Sequence, residues 1–246
     1  MMKNSIFALS LLLLFAACDS GDIEERTSSS SGKGRVVKLT GNLSGVGTWD
    51  SKYAVSLGGF TTGDNYAQVV RTLPSTTPDG TQVELVLSNL GESINTVELA
   101  ITSRLRERII TLSSINLDEY PETSDTIRMD VGLLDVGLFS SLQQGFFNVA
   151  CIQCHGANGR SAAGLNLTEG NAFAQLVDVP STRIEGMKRV IGGNADGSLL
   201  HKILNEGGED ILHYNHTEVL SSQFKENQEG VRQLIDDWIN LLKMED

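Results

Sequence analysis

Apolar and polar residues alternate with a period of two over most of residues 35–130. This alternation is typical of strands that bury one side and expose the other. Turn sequences such as Gly58-Gly59 and Pro78-Asp79-Gly80 separate the alternating segments. The predicted strands are Val36–Leu39, Lys52–Leu57, Gln68–Arg71, Gln82–Leu87, Thr96–Ile101 and Arg108–Leu112. Their number and spacing predict an antiparallel β-sandwich domain of immunoglobulin-like size over residues 35–130.

After residue 130 the apolar residues recur every three to four positions, as they do on one face of a helix. Segments of this kind are Leu138–Ala150, Gly197–Leu204 and Val231–Leu242. The last of them has apolar residues at i, i+3, i+4 and i+7, and it predicts a strongly amphipathic helix. We therefore expect a second, all-α domain over residues 131–246.

The first 34 residues follow neither pattern. Lys3 precedes an apolar run, Ile6–Ala17, which is shorter than the about 20 residues that a membrane-spanning helix needs. Such a start predicts a signal peptide over residues 1–17. Phe15-Ala16-Ala17-Cys18 resembles the lipobox of bacterial lipoproteins, in which the Cys becomes the first mature residue and carries lipid. Residues 18–34, rich in Ser, Asp, Glu and Gly, are expected to form a flexible tether.

The predicted export signal and lipid anchor indicate where the protein resides and which partners it meets. We expect a protein of the bacterial cell envelope, lipid-anchored through Cys18 and facing the periplasm or the outer surface. The chain carries 31 acidic and 19 basic residues, a net charge of −12. Nucleic acid is excluded as a partner because phosphate contacts require clustered Lys and Arg. The acidity favours a basic partner through electrostatic steering, although solubility alone is an equally good explanation.

One short motif carries the strongest chemical information. Cys151-Ile152-Gln153-Cys154-His155-Gly156 has the spacing of a covalent haem attachment site. In such a site the thiols of Cys151 and Cys154 add to the two haem vinyl groups, and His155 binds the iron as proximal ligand. The motif uses two of the three cysteines of the chain and occurs once. The sequence therefore predicts one covalently bound haem c as the cofactor.

Residues 131–246 resemble a single-haem cytochrome c domain of class I type, as found in many bacterial lipoproteins. The matching segments are the haem motif at the end of a first helix, Ala162–Leu167, Leu176–Ser181, Arg189–Gly193 before Ser198–Leu200, and Leu234–Ile239. The resemblance covers a little under half of the chain. It implies an all-α fold in which the first and last helices cross beside the haem, with Trp238 packed in the crossing. It also implies transfer of single electrons between redox proteins, without catalytic residues of an enzyme.

The sequence departs from this family at the sixth iron ligand. Such domains typically place a Met on the loop between the middle and final helices, and residues 206–222 contain none. His213 stands about where the Met is expected, and we predict it as the sixth ligand, with His216 as the alternative. Met187 or a vacant position are the remaining possibilities, and His201 is expected to pack between helices or contact a haem propionate. An imidazole in place of the thioether is expected to lower the reduction potential.

Two other functions compete with electron transfer. An open sixth iron position would make the protein a haem protein that reacts with gases or peroxide. Alternatively, Cys151 and Cys154 could bind zinc together with His213 and His216. The two-residue gap between these histidines is shorter than the usual three to five. With one haem motif in the chain, an electron carrier is the leading interpretation.

Overall fold

A computed structural model describes residues 34–120, 125–157, 161–208 and 212–242. The predicted signal peptide (1–17), the predicted lipidation site Cys18 and residues 19–33 of the predicted tether lie outside the described residues. Among the residues described, no helix combines the length and the apolar character required to cross a bilayer.

The first part of the described chain consists of strands in two sheets. The strands are β1 (Arg35–Ser44), β2 (Tyr53–Phe60), β3 (Val69–Thr72), β4 (Thr81–Leu90), β5 (Thr96–Ser103), β6 (Arg108–Asn116) and β7 (Thr126–Asp135). They are ordered β4-β1-β7 in one sheet and β3-β2-β5-β6 in the other. Each of the six predicted strands overlaps one of β1 to β6. In β1 buried and half-buried residues alternate along the whole strand, which explains why the period-two pattern identified it.

Strand β7 was not predicted, and it changes the architecture. It pairs with β1 in parallel, with Val37 opposite Ile127, so this sheet is mixed and not purely antiparallel. This strand could not be recognised from the sequence, because the alternation of buried and exposed residues ends at Gly132. Leu133, the next residue, is 86% exposed although it is apolar. The predicted domain boundary at residues 130/131 falls inside this strand.

The second part of the described chain is helical but irregular. Its helices are α1 (Leu138–Leu142), α2 (Ala172–Leu176), α3 (Leu199–Glu206), α4 (Thr217–Gln223) and α5 (Gln228–Leu241). A π-helical segment, Gln143–Cys151, continues α1 directly into the haem motif. The three predicted helical segments therefore exist with shifted ends, and turns and loops connect them.

The predicted fold class, a two-domain protein with an antiparallel β-sandwich followed by an all-α cytochrome c domain, is wrong. Over the described residues the structure is mostly β-sheet, with about 29% helix in five short helices. The described residues all belong to one compact unit. The physical reason is that the helices do not enclose a core of their own. Buried apolar residues from both sheets and from the helices belong to one continuous hydrophobic cluster, from Val37 to Ile239.

Two glycines allow the helices to approach β6 closely. A Cβ atom on Gly145, in the π-helical segment, would lie 2.1 Å from Cγ2 of Ile110. A Cβ atom on Gly230, in α5, would lie 2.7 Å from Cδ1 of Ile109. The absence of a side chain at both positions lets the helix backbones rest directly on this strand.

Polar bonds hold the same interface in register. The Asn227 side-chain amide, at the start of α5, donates to the carbonyls of Arg108 and Ile109 in β6 at 3.2 and 2.8 Å. Further along α5, the carboxylate of Asp237 accepts from Lys52 Nζ at 2.7 Å and from the Tyr53 hydroxyl at 2.8 Å. The helical part is thereby fixed to both β6 and β2.

Candidate functional site

A cavity of about 630 Å³ lies in the helical part, within the range of cofactor pockets. Its apolar lining includes Phe146, Leu165, Leu167, Leu176, Leu199, Leu200 and Leu204. Its polar lining includes Cys151, Cys154, His155, Arg183, Arg189, His213, Tyr214 and His216. An apolar pocket with a small number of polar groups is the usual form of a cofactor site.

The haem motif forms a tight turn at the end of the π-helical segment. The amides of Cys154 and His155 donate to the carbonyl of Cys151 at 3.2 and 2.8 Å, so both side chains stay close to Cys151. Gly156 ends the turn, where a Cβ atom would lie 2.3 Å from the carbonyl oxygen of Ile152. The turn therefore requires glycine at this position and brings both thiols and the imidazole to the same cavity.

Of the two ring nitrogens of His155, Nδ1 has a hydrogen-bond partner, whereas Nε2 has none among the described residues. Its Nδ1 lies 3.0 Å from the carbonyl oxygen of Ala162. Because a carbonyl only accepts, Nδ1 must carry the proton, which leaves the lone pair on Nε2. Burial lowers the pKa of His155, and the neighbouring His216 and Arg189 lower it further against the opposing Ala162 bond. The neutral imidazole that metal coordination requires is thus the favoured form.

His216 has the same arrangement. Its Nδ1 lies 3.2 Å from the carbonyl of Tyr214 and 3.4 Å from that of Gly207. Burial lowers the pKa of His216 as well. The residue immediately precedes α4, and its own amide donates to Gly207 at 2.9 Å. His216 therefore also presents a neutral imidazole with a free Nε2.

The two imidazoles lie near each other in the cavity. Their ring centroids are 6.5 Å apart and their planes differ by 17°. A metal ion between two imidazole nitrogens has bonds of about 2.0–2.1 Å, which separates those nitrogens by about 4 Å. The distance from each ring centroid to its own nitrogen accounts for the difference between that value and the centroid separation. The rings of His155 and His216 are thus close enough to bind one metal ion between them.

His213, predicted from sequence as the sixth ligand, also lines the cavity. Its side chain is exposed and its backbone is left-handed, with φ of 58°. The structure places the alternative, His216, beside His155. Met187 does not line this cavity. His201 bonds to Asp236 Oδ1 through Nδ1 at 2.8 Å, and it connects α3 to α5.

The two cysteine thiols fit haem better than zinc. Both are free; Cys151 is half-buried and Cys154 is exposed. Burial raises the pKa of the Cys151 thiol to about 12, and nearby Cys154 adds to this shift. Zinc requires a thiolate, which this environment disfavours, whereas a thioether is uncharged. Across the described ranges, no three or more His, Cys, Asp or Glu side chains come together to hold a metal ion.

Two arginines at the cavity were not identified from the sequence. Arg189 donates through Nη1 to the carbonyl of Gln175 at 2.8 Å, and burial lowers its pKa. Arg183 lines the same cavity. The partly desolvated guanidinium group of Arg189 favours an anionic ligand, and haem carries two propionates. The sequence did not identify them, because two loop arginines in a chain do not by themselves indicate a binding site.

An aromatic cluster packs between the site and the core. Phe139 in α1 and Phe147 in the π-helical segment lie 5.3 and 6.3 Å from Trp238 in α5, measured between ring centroids. Phe146, which lines the cavity, lies 5.1 Å from Phe147. These large side chains support the π-helical segment that carries the haem motif.

No protein-family model, no curated protein and no solved structure matches this chain.

Proposed function

We propose that this protein is a c-type cytochrome that binds one haem covalently in the 630 Å³ cavity and transfers single electrons. The observation that carries the proposal is the His155–His216 pair, with ring centroids 6.5 Å apart, next to Cys151 and Cys154. A cavity for an ordinary organic ligand has no need for two neutral imidazoles this close to each other.

The residues of the cavity have distinct roles in this proposal. The Cys151 and Cys154 thiols would each add across a vinyl double bond, forming a carbon–sulfur bond while the thiol hydrogen moves to the other vinyl carbon. This addition needs no external oxidant. His155 and His216 would both hold the iron through Nε2. Arg189 and Arg183 would pair with the propionates.

The ligand set supports electron transfer over substrate chemistry. Haem bound there would supply one-electron redox chemistry at its iron. Two neutral imidazoles favour a lower reduction potential than a His and a Met would give. His216 would fill the remaining ligand position of the iron, and gas or peroxide would then have no open position to bind. We therefore propose an electron carrier and not an enzyme.

The cellular setting is proposed from the sequence. The signal peptide and the lipobox at Cys18 support a lipid-anchored protein of the bacterial cell envelope. The net charge of −12 supports redox partners with a basic surface and no role in binding nucleic acid.

A haem-staining experiment tests the proposal directly. The full-length chain is expressed in a bacterium with haem-attachment machinery, and the purified protein is denatured, separated and stained for haem. We expect haem to stay on the polypeptide and the pyridine haemochrome spectrum to show two thioether bonds. The double variant Cys151→Ala/Cys154→Ala should lose the stain while keeping the β-sheet circular dichroism. A wild-type chain that folds but carries no covalent haem would refute the proposal.

A spectrum distinguishes electron carriage from ligand chemistry. We expect a low-spin, six-coordinate spectrum in both oxidation states and slow binding of carbon monoxide to the reduced protein. A high-spin spectrum with rapid carbon monoxide binding would instead support the gas- or peroxide-reactive alternative.

A further inference from the structure

Tyr214 makes two separate contacts with His216. Its carbonyl oxygen lies 3.2 Å from Nδ1 of that imidazole. Its ring lies edge-to-face with the His216 ring, at a centroid distance of 5.1 Å and an interplanar angle of 86°. The side chain is 46% exposed and also lines the cavity. One residue thus contacts His216 through both backbone and ring, between the cavity and solvent.

His216 needs such support more than His155 does. His155 belongs to the tight turn of the haem motif, whose backbone hydrogen bonds return to Cys151. His216 lies on the connection between α3 and α4, where its backbone amide bonds to Gly207. A hydrogen bond at Nδ1 limits the tilt of an imidazole but allows the ring to rotate about the bond axis. A neighbouring ring at right angles restricts that rotation.

We infer that Tyr214 is a positioning residue that fixes the plane of the His216 imidazole and limits solvent access to its side of the iron. This inference rests on the proposed function. The ring performs the positioning and the hydroxyl does not, because no hydrogen bond of the hydroxyl is found among the described residues, whereas the ring contact is direct. The carbonyl bond persists whatever side chain stands at position 214.

The test compares side chains at position 214 in the haem-loaded, full-length protein. Tyr214→Phe keeps the ring, whereas Tyr214→Ala and Tyr214→Leu remove it. Tyr66→Ala is the matched control, because Tyr66 is 47% exposed and does not line the cavity. The readouts are the electron paramagnetic resonance spectrum of the ferric protein, which reports the ligand planes, and the rate at which cyanide displaces the sixth ligand.

We expect Tyr214→Ala and Tyr214→Leu to shift the resonance g-values and to accelerate cyanide binding roughly two- to tenfold, the equivalent of one edge-to-face aromatic contact. Tyr214→Phe and Tyr66→Ala should match the wild type in both measurements. Unchanged g-values and cyanide rates in Tyr214→Ala and Tyr214→Leu would overturn the inference. So would a Tyr214→Phe protein that behaves like Tyr214→Ala, since the hydroxyl would then be the active group.

These outcomes are separate from a failure of the proposed function. If the wild-type protein binds no haem covalently, the proposed function fails and the spectra cannot be recorded. If it binds haem through His155 and His216 but its g-values and cyanide rate do not change when the Tyr214 ring is removed, only the role of Tyr214 is refuted.

Discussion

At the scale of single residues, the site depends on where two imidazoles carry their protons. Both His155 and His216 bond through Nδ1 to backbone carbonyls, which leaves both Nε2 lone pairs free. His213 lines the same cavity with an exposed side chain. Only two residues separate His213 from His216, and of the two imidazoles it is that of His216 that lies beside His155.

The variants His216→Ala and His213→Ala test this assignment as a matched pair. We expect His216→Ala to lose the low-spin spectrum and bind carbon monoxide rapidly, because the sixth iron position is vacated. His213→Ala should keep the wild-type spectrum. Optical spectroscopy of the ferric and ferrous proteins measures both. The opposite pattern would restore His213 as the sixth ligand.

At the scale of elements, the helices are positioned by how closely they approach β6. Gly145 and Gly230 remove side chains at the contact points, and Asn227 bonds to the β6 backbone. Asp237 adds a second attachment, to Lys52 and Tyr53 at the start of β2. The haem motif follows the π-helical segment directly, so its position depends on this packing.

The variant Gly145→Ala tests whether the π-helical segment must pack closely against β6. A Cβ atom there would lie 2.1 Å from Ile110 Cγ2, which is attached to a β-branched carbon in a strand and cannot move far. We expect a loss of roughly 1–3 kcal/mol in the free energy of unfolding, the usual cost of overpacking. Denaturant unfolding monitored by circular dichroism provides the measurement.

Gly91→Ala is the control for Gly145→Ala, because a Cβ atom at Gly91 meets nothing within 4 Å. It should leave the free energy of unfolding nearly unchanged. The double variant Gly145→Ala/Ile110→Ala should lose less stability than the two single changes added together, since the clash is then absent. Strict additivity would show that Gly145 and Ile110 do not constrain each other.

Tyr53 makes the β2–α5 attachment sensitive to alkaline pH. Burial raises the pKa of Tyr53 far above its ordinary value, and the hydrogen bond to Asp237 contributes further. In the unfolded chain the hydroxyl ionises near pH 10. Its stabilising contribution is therefore complete below about pH 10 and falls as the pH rises above that value.

Tyr53→Phe should remove this dependence. The free energy of unfolding, measured at a series of pH values from 8 to about 11, should fall less steeply for the variant than for the wild type. Tyr66→Phe is the control, because Tyr66 is 47% exposed and should leave the slope unchanged. Equal slopes in all three proteins would show that Tyr53 titrates normally in the folded protein.

At the scale of the whole molecule, one hydrophobic core serves both sheets and helices. The connection between β7 and α1 is itself bound to the sheet part, because Trp49 Nε1 donates to the Val136 carbonyl at 2.7 Å. Trp49 and Val136 are both buried. The haem motif is therefore built on a unit that extends from β1 to α5.

Removing residues 1–130 tests whether the helical part is independent. We expect the fragment 131–246 to remain unfolded, because the cut divides β7 and removes β6 and Trp49. Circular dichroism, limited proteolysis and covalent haem content should all be compared with those of the chain 34–246. A fragment that unfolds cooperatively and binds haem would show that the helical part is a separate domain after all.

Local features could be predicted from the sequence, since local forces produce them. Side-chain alternation and turn residues identified β1 to β6, although β2 and β5 bury residues on both faces. The helical spacing before Cys151 identified the segment that leads into the motif. The spacing Cys151-Ile152-Gln153-Cys154-His155 predicted a haem attachment site, and in the structure these residues form one tight turn with hydrogen bonds spanning three or four residues.

Features that depend on distant contacts could not be predicted in this way. β7 alternates only over its first half and has no buried residue in its second half, and its pairing with β1 joins residues about 90 positions apart. The resemblance to an all-α domain did not predict that the helices would pack against a β-sheet. Arg189 gave no signal because its role depends on the cavity that surrounds it.

The sequence by itself determined which chemical groups are present: two thiols and an imidazole within five consecutive residues, and two further histidines on a later loop. Only the tertiary structure decided that His216 lies beside His155, and that the site belongs to the same unit as the sheets. The reason is physical. A turn is specified by residues within one or two hydrogen bonds of each other. Whether two side chains more than 60 positions apart meet depends on how the whole core packs.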